Sequence, residues 1–222
     1  MEMPIDSNLT KFIDIGCGIG HFNIIAYMCY NYSRSIGFDI GGRRNDGKFN
    51  LYMRLLRNKF LALLSDNKVR KQNRMLKYVN ASSTGNTRLF YNDFFRKLDN
   101  VISDNNMKLY YETSVDDVTS NYKLRNDMGI YRYENKYCID FYCFCFGMKE
   151  EHIEQAIIGL VIPFGRQFIF SSTNASSIID RIKYLLQSYN FNLIRQFTGN
   201  MSAAKTNKTR TLYCFRRVLQ KI

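Results

Sequence analysis

Phe12-Ile13-Asp14-Ile15-Gly16-Cys17-Gly18-Ile19-Gly20-His21-Phe22 decides how the chain reads. A short apolar run, Lys11 to Ile15, breaks at three glycines spaced two apart, and His21 to Tyr32 then repeats apolar residues (Phe22, Ile25, Ala26, Cys29) at helical spacing. Glycines at 16, 18 and 20 leave a turn without side chains, so a ligand can lie on the backbone while the following helix offers its first N–H groups. A second apolar run, Ser35 to Ile40, completes a strand, turn, helix, strand unit, whose crossover is expected to be right-handed.

The remaining chain repeats this alternation. Helical patterns are expected over Asn50 to Leu64, Phe95 to Ile102, Glu150 to Leu160 and Ser176 to Ser188. Strands are expected over Arg88 to Phe95, Tyr137 to Phe146 and Gln167 to Ser171. Lys108 to Tyr111 and Gly129 to Tyr133 read as added strands around a polar hairpin. Phe191 to Phe197 and Thr211 to Val218 form a last strand pair joined by a polar loop, Gly199 to Arg210. The expectation is an α/β fold, a doubly wound, mainly parallel seven-stranded sheet ending in an antiparallel strand pair, with residues 1–222 forming one domain.

A dinucleotide-binding turn, G-x-G-x-x-G, needs its third glycine at position 21, which is His21. The observed G-x-G-x-G, with Asp14 two residues before it and Asp39 nineteen residues after Gly20, instead resembles the S-adenosylmethionine (SAM) site of class I SAM-dependent methyltransferases. The resemblance implies SAM as cofactor, held by the turn at Gly16, Gly18 and Gly20. Asp14 would serve its amino end and Asp39 its ribose hydroxyls. In Asn92-Asp93-Phe94, Asp93 and Phe94 would meet the adenine, with Asp116 as the alternative acid.

In that family the strand after the adenine contact ends beside the reacting methyl group. Here it reads Cys138-Ile139-Asp140-Phe141-Tyr142-Cys143-Phe144-Cys145-Phe146-Gly147. It lacks the (D/N/S)-P-P-(Y/F) sequence of amino-methylating enzymes, neither Cys143 nor Cys145 follows a proline as a cytosine-attacking thiol would, and no Lys-Asp-Lys-Glu tetrad of the ribose methyltransferases can be assembled. Its aromatic, small, Phe, Gly ending loosely resembles the DOT-type (disruptor of telomeric silencing) histone lysine methyltransferases, although Tyr142-Cys143 stands where that family has paired asparagines. On that resemblance Tyr142, Phe144 and Phe146 are the catalytic candidates, shaping a narrow channel that desolvates and aims the nucleophile.

Composition limits the partners. The 222 residues carry 32 Lys and Arg against 19 Asp and Glu, a formal charge of +13, which favours phosphate backbones or acidic surfaces. Basic residues concentrate at Arg43 and Arg44, from Arg54 to Lys77, and again at Lys205, Lys208, Arg210, Arg216 and Arg217. The expected partner is RNA or chromatin, with a partner chain completing the site as a further option. A catalytically inactive methyltransferase-like subunit that binds nucleic acid or stimulates a partner is the alternative to an enzyme. Six cysteines lie mostly within apolar runs without zinc spacing, so no metal and reduced thiols are expected. No apolar run reaches the roughly 18 residues of a membrane span, and the first ten residues lack a signal-peptide layout, so an intracellular protein without membrane contact is expected.

Overall fold

The computed structural model describes residues 10–18, 20–30, 32–40, 107–131, 137–144, 148–173, 178–203 and 206–218. Among them seven strands form one sheet in the order β3-β2-β1-β4-β5-β7-β6. The strands are β1 (Lys11–Ile15), β2 (Arg34–Asp39), β3 (Met107–Tyr111), β4 (Ile139–Phe144), β5 (Gly165–Thr173), β6 (Phe191–Ala203) and β7 (Thr206–Arg217). The first five run parallel, and β7 enters antiparallel between β5 and β6. This is the doubly wound, mainly parallel seven-stranded sheet expected, closed by an antiparallel pair.

Two faces of the sheet are covered differently. Ile13, Ile15, Phe141, Cys143, Phe168 and Phe170 point to one side, into a large core closed by Ile153, Leu160, Ile178 and Ile182. These come from α4 (Glu150–Ala156), a π-helical turn (Ile157–Val161) and α6 (Ile178–Ser188). Phe12 and Tyr142 point to the other side, against Phe22 and Ala26 of α1 (His21–Cys29). Alternation along each strand sorts residues to these faces.

The strand expected over Lys108 to Tyr111 is observed, while other expectations change. The strand beside β2 is Met107–Tyr111, paired in parallel with Ser35 to Asp39. Arg88 to Phe95, expected to be the next strand, lies outside the described residues, as do the helical patterns at 50–64 and 95–102 and the basic run at 68–77. The expected polar hairpin after Tyr111 is instead two short helices, α2 (Val115–Ser120) and α3 (Tyr122–Asp127). Ser114 and Asp117 form a reciprocal capping box and Asn121 caps α3 through Leu124 N–H, so local side-chain hydrogen bonds select helix where the polar composition reads as turn. Val115 and Val118 anchor α2 in the core, and Gly129, with φ of 67°, reverses the chain where a strand is expected.

The expected loop from Gly199 to Arg210 is also strand. The β6–β7 ladder continues from Gly199↔Arg210 to Ala203↔Thr206, beyond Thr173↔Arg210 where β5 ends. The two arms pair their backbones with each other, so a stretch whose polar composition carries no strand signal still forms a ladder. A short helix, α5 (Ile162–Phe164), links the π-helical turn to β5.

Candidate functional site

The glycine turn is stitched to the end of β2. Gly16 N–H and Cys17 N–H both donate to Phe38 O, at 2.8 and 3.1 Å, and Gly20 N–H donates to Cys17 O at 2.9 Å. Gly18 N–H donates to Asp39 Oδ2 at 2.8 Å, so the turn and the acid of β2 are in direct contact. Gly16, Gly18 and Gly20 have φ of 75°, 55° and 83°, the left-handed region that side chains disfavour. Gly20 is also the N-cap of α1 and brings no side-chain cap to its first amides.

Below the turn, Asp14 is buried in β1 with its neighbours Gly37 and Tyr142 in register. Neither carboxylate oxygen has a hydrogen-bond partner. Burial, then the charge of Asp39, raises its pKa well above the usual carboxylate range. A buried carboxyl so placed has hydrogen-bonding capacity that the described residues leave unmet.

Packing of the turn depends on residues that the glycine pattern does not mark. A Cβ at Gly37 would lie 2.5 Å from Cys17 Cβ and 2.7 Å from Asn23 Oδ1, so β2 must be bare there for the turn and α1 to approach. Asn23, fully buried, holds α1 to β2: its Nδ2 donates to Ser35 Oγ at 3.3 Å, and Ser35 Oγ donates to Asn23 O at 2.8 Å. Met148 reaches back over the turn: its Sδ is 3.8 Å from Cys143 Sγ, and its Cε is 3.6 Å from a Cβ built on Gly16. The sequence signal available for Gly37 is a glycine inside a strand. Asn23 and Met148 have none.

The β3 end joins the same edge. Thr113 N–H donates to Asp39 O at 3.0 Å, and Glu112 is held at φ of 58°, so the segment leaving β3 is fixed beside Asp39. Asp116, the alternative acid, is a residue of α2 whose Oδ1 accepts from Gln155 of α4. Asp93 and Phe94 lie outside the described residues.

Of the three aromatic candidates, Tyr142 on β4 is buried, with Phe22 at 4.6 Å and Phe12 at 6.3 Å between ring centroids. Its hydroxyl has no hydrogen-bond partner, and burial, then Asp14, pushes its pKa up. Phe144 ends β4 beside Ser171, and Phe146 lies outside the described residues.

The basic residues divide. Arg217 donates to Gly165 O at 2.9 Å and to Ile162 O, and stacks on Tyr137 and Phe191 at 3.8 and 4.3 Å, so it locks the end of the π-helical turn to β5. That structural role removes it from the expected docking cluster. Arg210 is buried rather than on a solvated face, and Arg216 is exposed. Arg43 and Arg44 lie outside the described residues.

Among the described residues no group of three His, Cys, Asp or Glu side chains could hold a metal. Cys17, Cys138, Cys143 and Cys214 form no disulfide. No described helix is long and apolar enough to cross a membrane.

Neither a protein-family model nor a curated protein matches this chain. Solved structures do resemble it. An uncharacterized protein from Listeria monocytogenes serotype 4b is 9% identical with a TM-score of 0.47, over 99% of this chain and 66% of that one. A putative RNA methyltransferase from Pyrococcus horikoshii is 9% identical with a TM-score of 0.49, over 98% of this chain and 77% of that one. Magnesium protoporphyrin IX methyltransferase from Synechocystis PCC 6803, solved with bound SAM, is 14% identical with a TM-score of 0.47, over 95% and 73%. These likenesses assign no residue role here.

Proposed function

We propose that the chain is a SAM-dependent methyltransferase acting on RNA. The observation that carries the reading is the contact of Gly18 N–H with Asp39 Oδ2, above a buried Asp14 whose carboxylate has no partner, at the C-terminal edge of a doubly wound sheet. Ligands of such sheets bind at that edge, where the strand order reverses. Here the reversal falls between β1 and β4, next to the glycine turn.

The residues fit the cofactor by charge. Asp14 takes the amino end, the backbone of Gly16, Gly18 and Gly20 lets the ligand lie close, and Asp39 accepts from the ribose hydroxyls. Asp93 and Phe94 remain the adenine residues that the family resemblance implies. The segment at Glu112 to Ser114, fixed beside Asp39, is the alternative that the backbone geometry favours. Bound SAM supplies a methyl group already activated by the sulfonium. The protein then needs only to align the nucleophile and exclude water, which is the role given to Tyr142, Phe144 and Phe146. No general base is required of the chain.

RNA is preferred to a chromatin lysine because the +13 charge favours a polyanion. Isothermal titration with SAM and with its demethylated product tests the cofactor. Micromolar binding lost in Asp39→Ala supports the site, and no binding at millimolar ligand selects the inactive subunit. Labelled SAM offered with capped RNA, ribosomal RNA or nucleosomes then identifies the acceptor; label in nucleosomes alone overturns the RNA assignment.

A further inference from the structure

Alternation along β5, β7 and β6 sets further residues on the α1 face of the sheet, beyond the strands that α1 covers. Ile169 and Leu212 pack there against the cluster of Tyr142, Phe12 and Ala26. Cys214 and Arg216 follow Leu212 at every second position of β7. Their partners on β6 are Arg195 and Asn192, and Phe197 stands opposite Leu212. Exposure rises strand by strand along this face. Tyr142 of β4 is 4% exposed, Ile169, Leu212 and Cys214 are half-buried, and Phe197 is 58% exposed. Arg195 and Arg216 are exposed on the same face. The face therefore opens toward β6, the outermost strand.

This end of the chain carries charge of one sign. No Asp or Glu follows Asp180, against nine Lys and Arg from Arg181 to Ile222. Arg216 donates to Gln167 Oε1 at 3.5 Å, which uses one of the five N–H donors of its guanidinium. A second copy of the chain would set the same charges against Arg195 and Arg216. A partner that brings both flat rings and regularly spaced negative groups suits the exposed phenyl ring and the two guanidinium groups together. Single-stranded RNA is such a partner, because its bases are free to stack on a side chain, whereas a duplex keeps them paired inside.

Register also ties this face to the candidate site. Phe144, Ser171, Leu212 and Phe197 are successive Cα partners across β4, β5, β7 and β6. Phe197 is thus three strand spacings, about 14 Å, from the end of β4, a span that a few nucleotides cover. Resting on the methyltransferase reading, we infer that the open β7–β6 face docks a single-stranded segment of the RNA acceptor, with a base stacked on Phe197 and phosphates paired with Arg195 and Arg216.

The full-length chain is titrated across a range of salt with a fluorescent single-stranded oligoribonucleotide of mixed sequence, and with the same sequence as a duplex. Phe197→Ala is expected to weaken single-strand binding by about tenfold, the loss of one base stacked on a ring, with the salt slope unchanged. Phe197→Tyr keeps the affinity within about twofold. Arg195→Met and Arg216→Met each shrink the slope by about 0.7, the value of one single-strand phosphate neutralised. All three residues are exposed, so thermal melts should match the parent. S-adenosylhomocysteine affinity stays within about twofold throughout.

Single-strand binding that is absent in the parent, or unchanged in Phe197→Ala, overturns the docking surface. An equal loss on the duplex overturns the stacked base. A parent that sediments as a dimer, and as a monomer in Phe197→Ala, gives the face to a second copy and overturns RNA docking. Failure of the parent to bind S-adenosylhomocysteine while single-strand binding responds as expected sinks the methyltransferase reading and leaves the docking surface standing.

Discussion

Asp14 shows most directly what a single residue costs and offers. Its carboxyl is buried without a partner, and its folded pKa is raised, chiefly by burial. A raised acid pKa means that the folded state holds the proton longer than the unfolded chain. The stability it allows is complete below the unfolded carboxylate pKa and is lost as pH rises through the folded value. Asp14→Asn should therefore flatten the decline in melting temperature above about pH 4, the ordinary carboxylate value, and raise the melting temperature at neutral pH. Each kcal/mol recovered corresponds to roughly 2–4 °C for a chain of this size. The same variant should lose SAM affinity, and an unchanged affinity would take Asp14 out of the site. Gly18→Val should abolish cofactor binding with the fold retained, because φ of 55° disfavours a β-branched residue and its side chain enters the ligand's path. Gly37→Ala tests packing instead. Its Cβ meets Cys17 and Asn23 inside ordinary van der Waals distance, so a loss of about 1–3 kcal/mol in denaturant unfolding is expected.

Among elements, α2 and α3 show local chemistry overriding composition. The stretch from Glu112 to Gly129 is polar enough to read as a hairpin, yet Ser114 with Asp117 and Asn121 with Leu124 each satisfy helix-starting amides. Ser114→Ala should cost about 1 kcal/mol in chemical denaturation, with the usual range of roughly 0.5–2 for a cap. A smaller loss would mean that Val115 and Val118 alone hold α2. The hairpin arms of β6 and β7 show the converse. Their outer halves read as loop because Gly199 to Arg210 is polar with no apolar alternation, yet the β6–β7 pairing runs on beyond the end of β5.

Over the whole molecule, charge is the dominant feature not expressed in the fold. A formal +13 predicts RNA binding that weakens steeply with salt. Neutralising Lys68, Arg70, Lys71 and Arg74 together should lower affinity and reduce the slope by up to about 3, at roughly 0.7 for each phosphate no longer neutralised. A slope equal to that of the parent would remove this run from the docking surface. Arg217 is not part of that expectation, since it is committed to carbonyls at the end of the π-helical turn and to two rings.

What the sequence by itself determined is local and periodic. Three glycines spaced two apart between an apolar run and a helical repeat dictate a bare turn, and alternating strand and helix patterns dictate a doubly wound sheet, because both signals lie within a few residues of each other. What only the tertiary structure decided is adjacency between distant segments. Met107–Tyr111 takes the place beside β2, Gly37 clears the way for Cys17 and Asn23, and Arg210 comes from the far end of the chain to pair with Thr173 of β5. Such adjacencies depend on strand order and register, which no spacing along a single chain encodes.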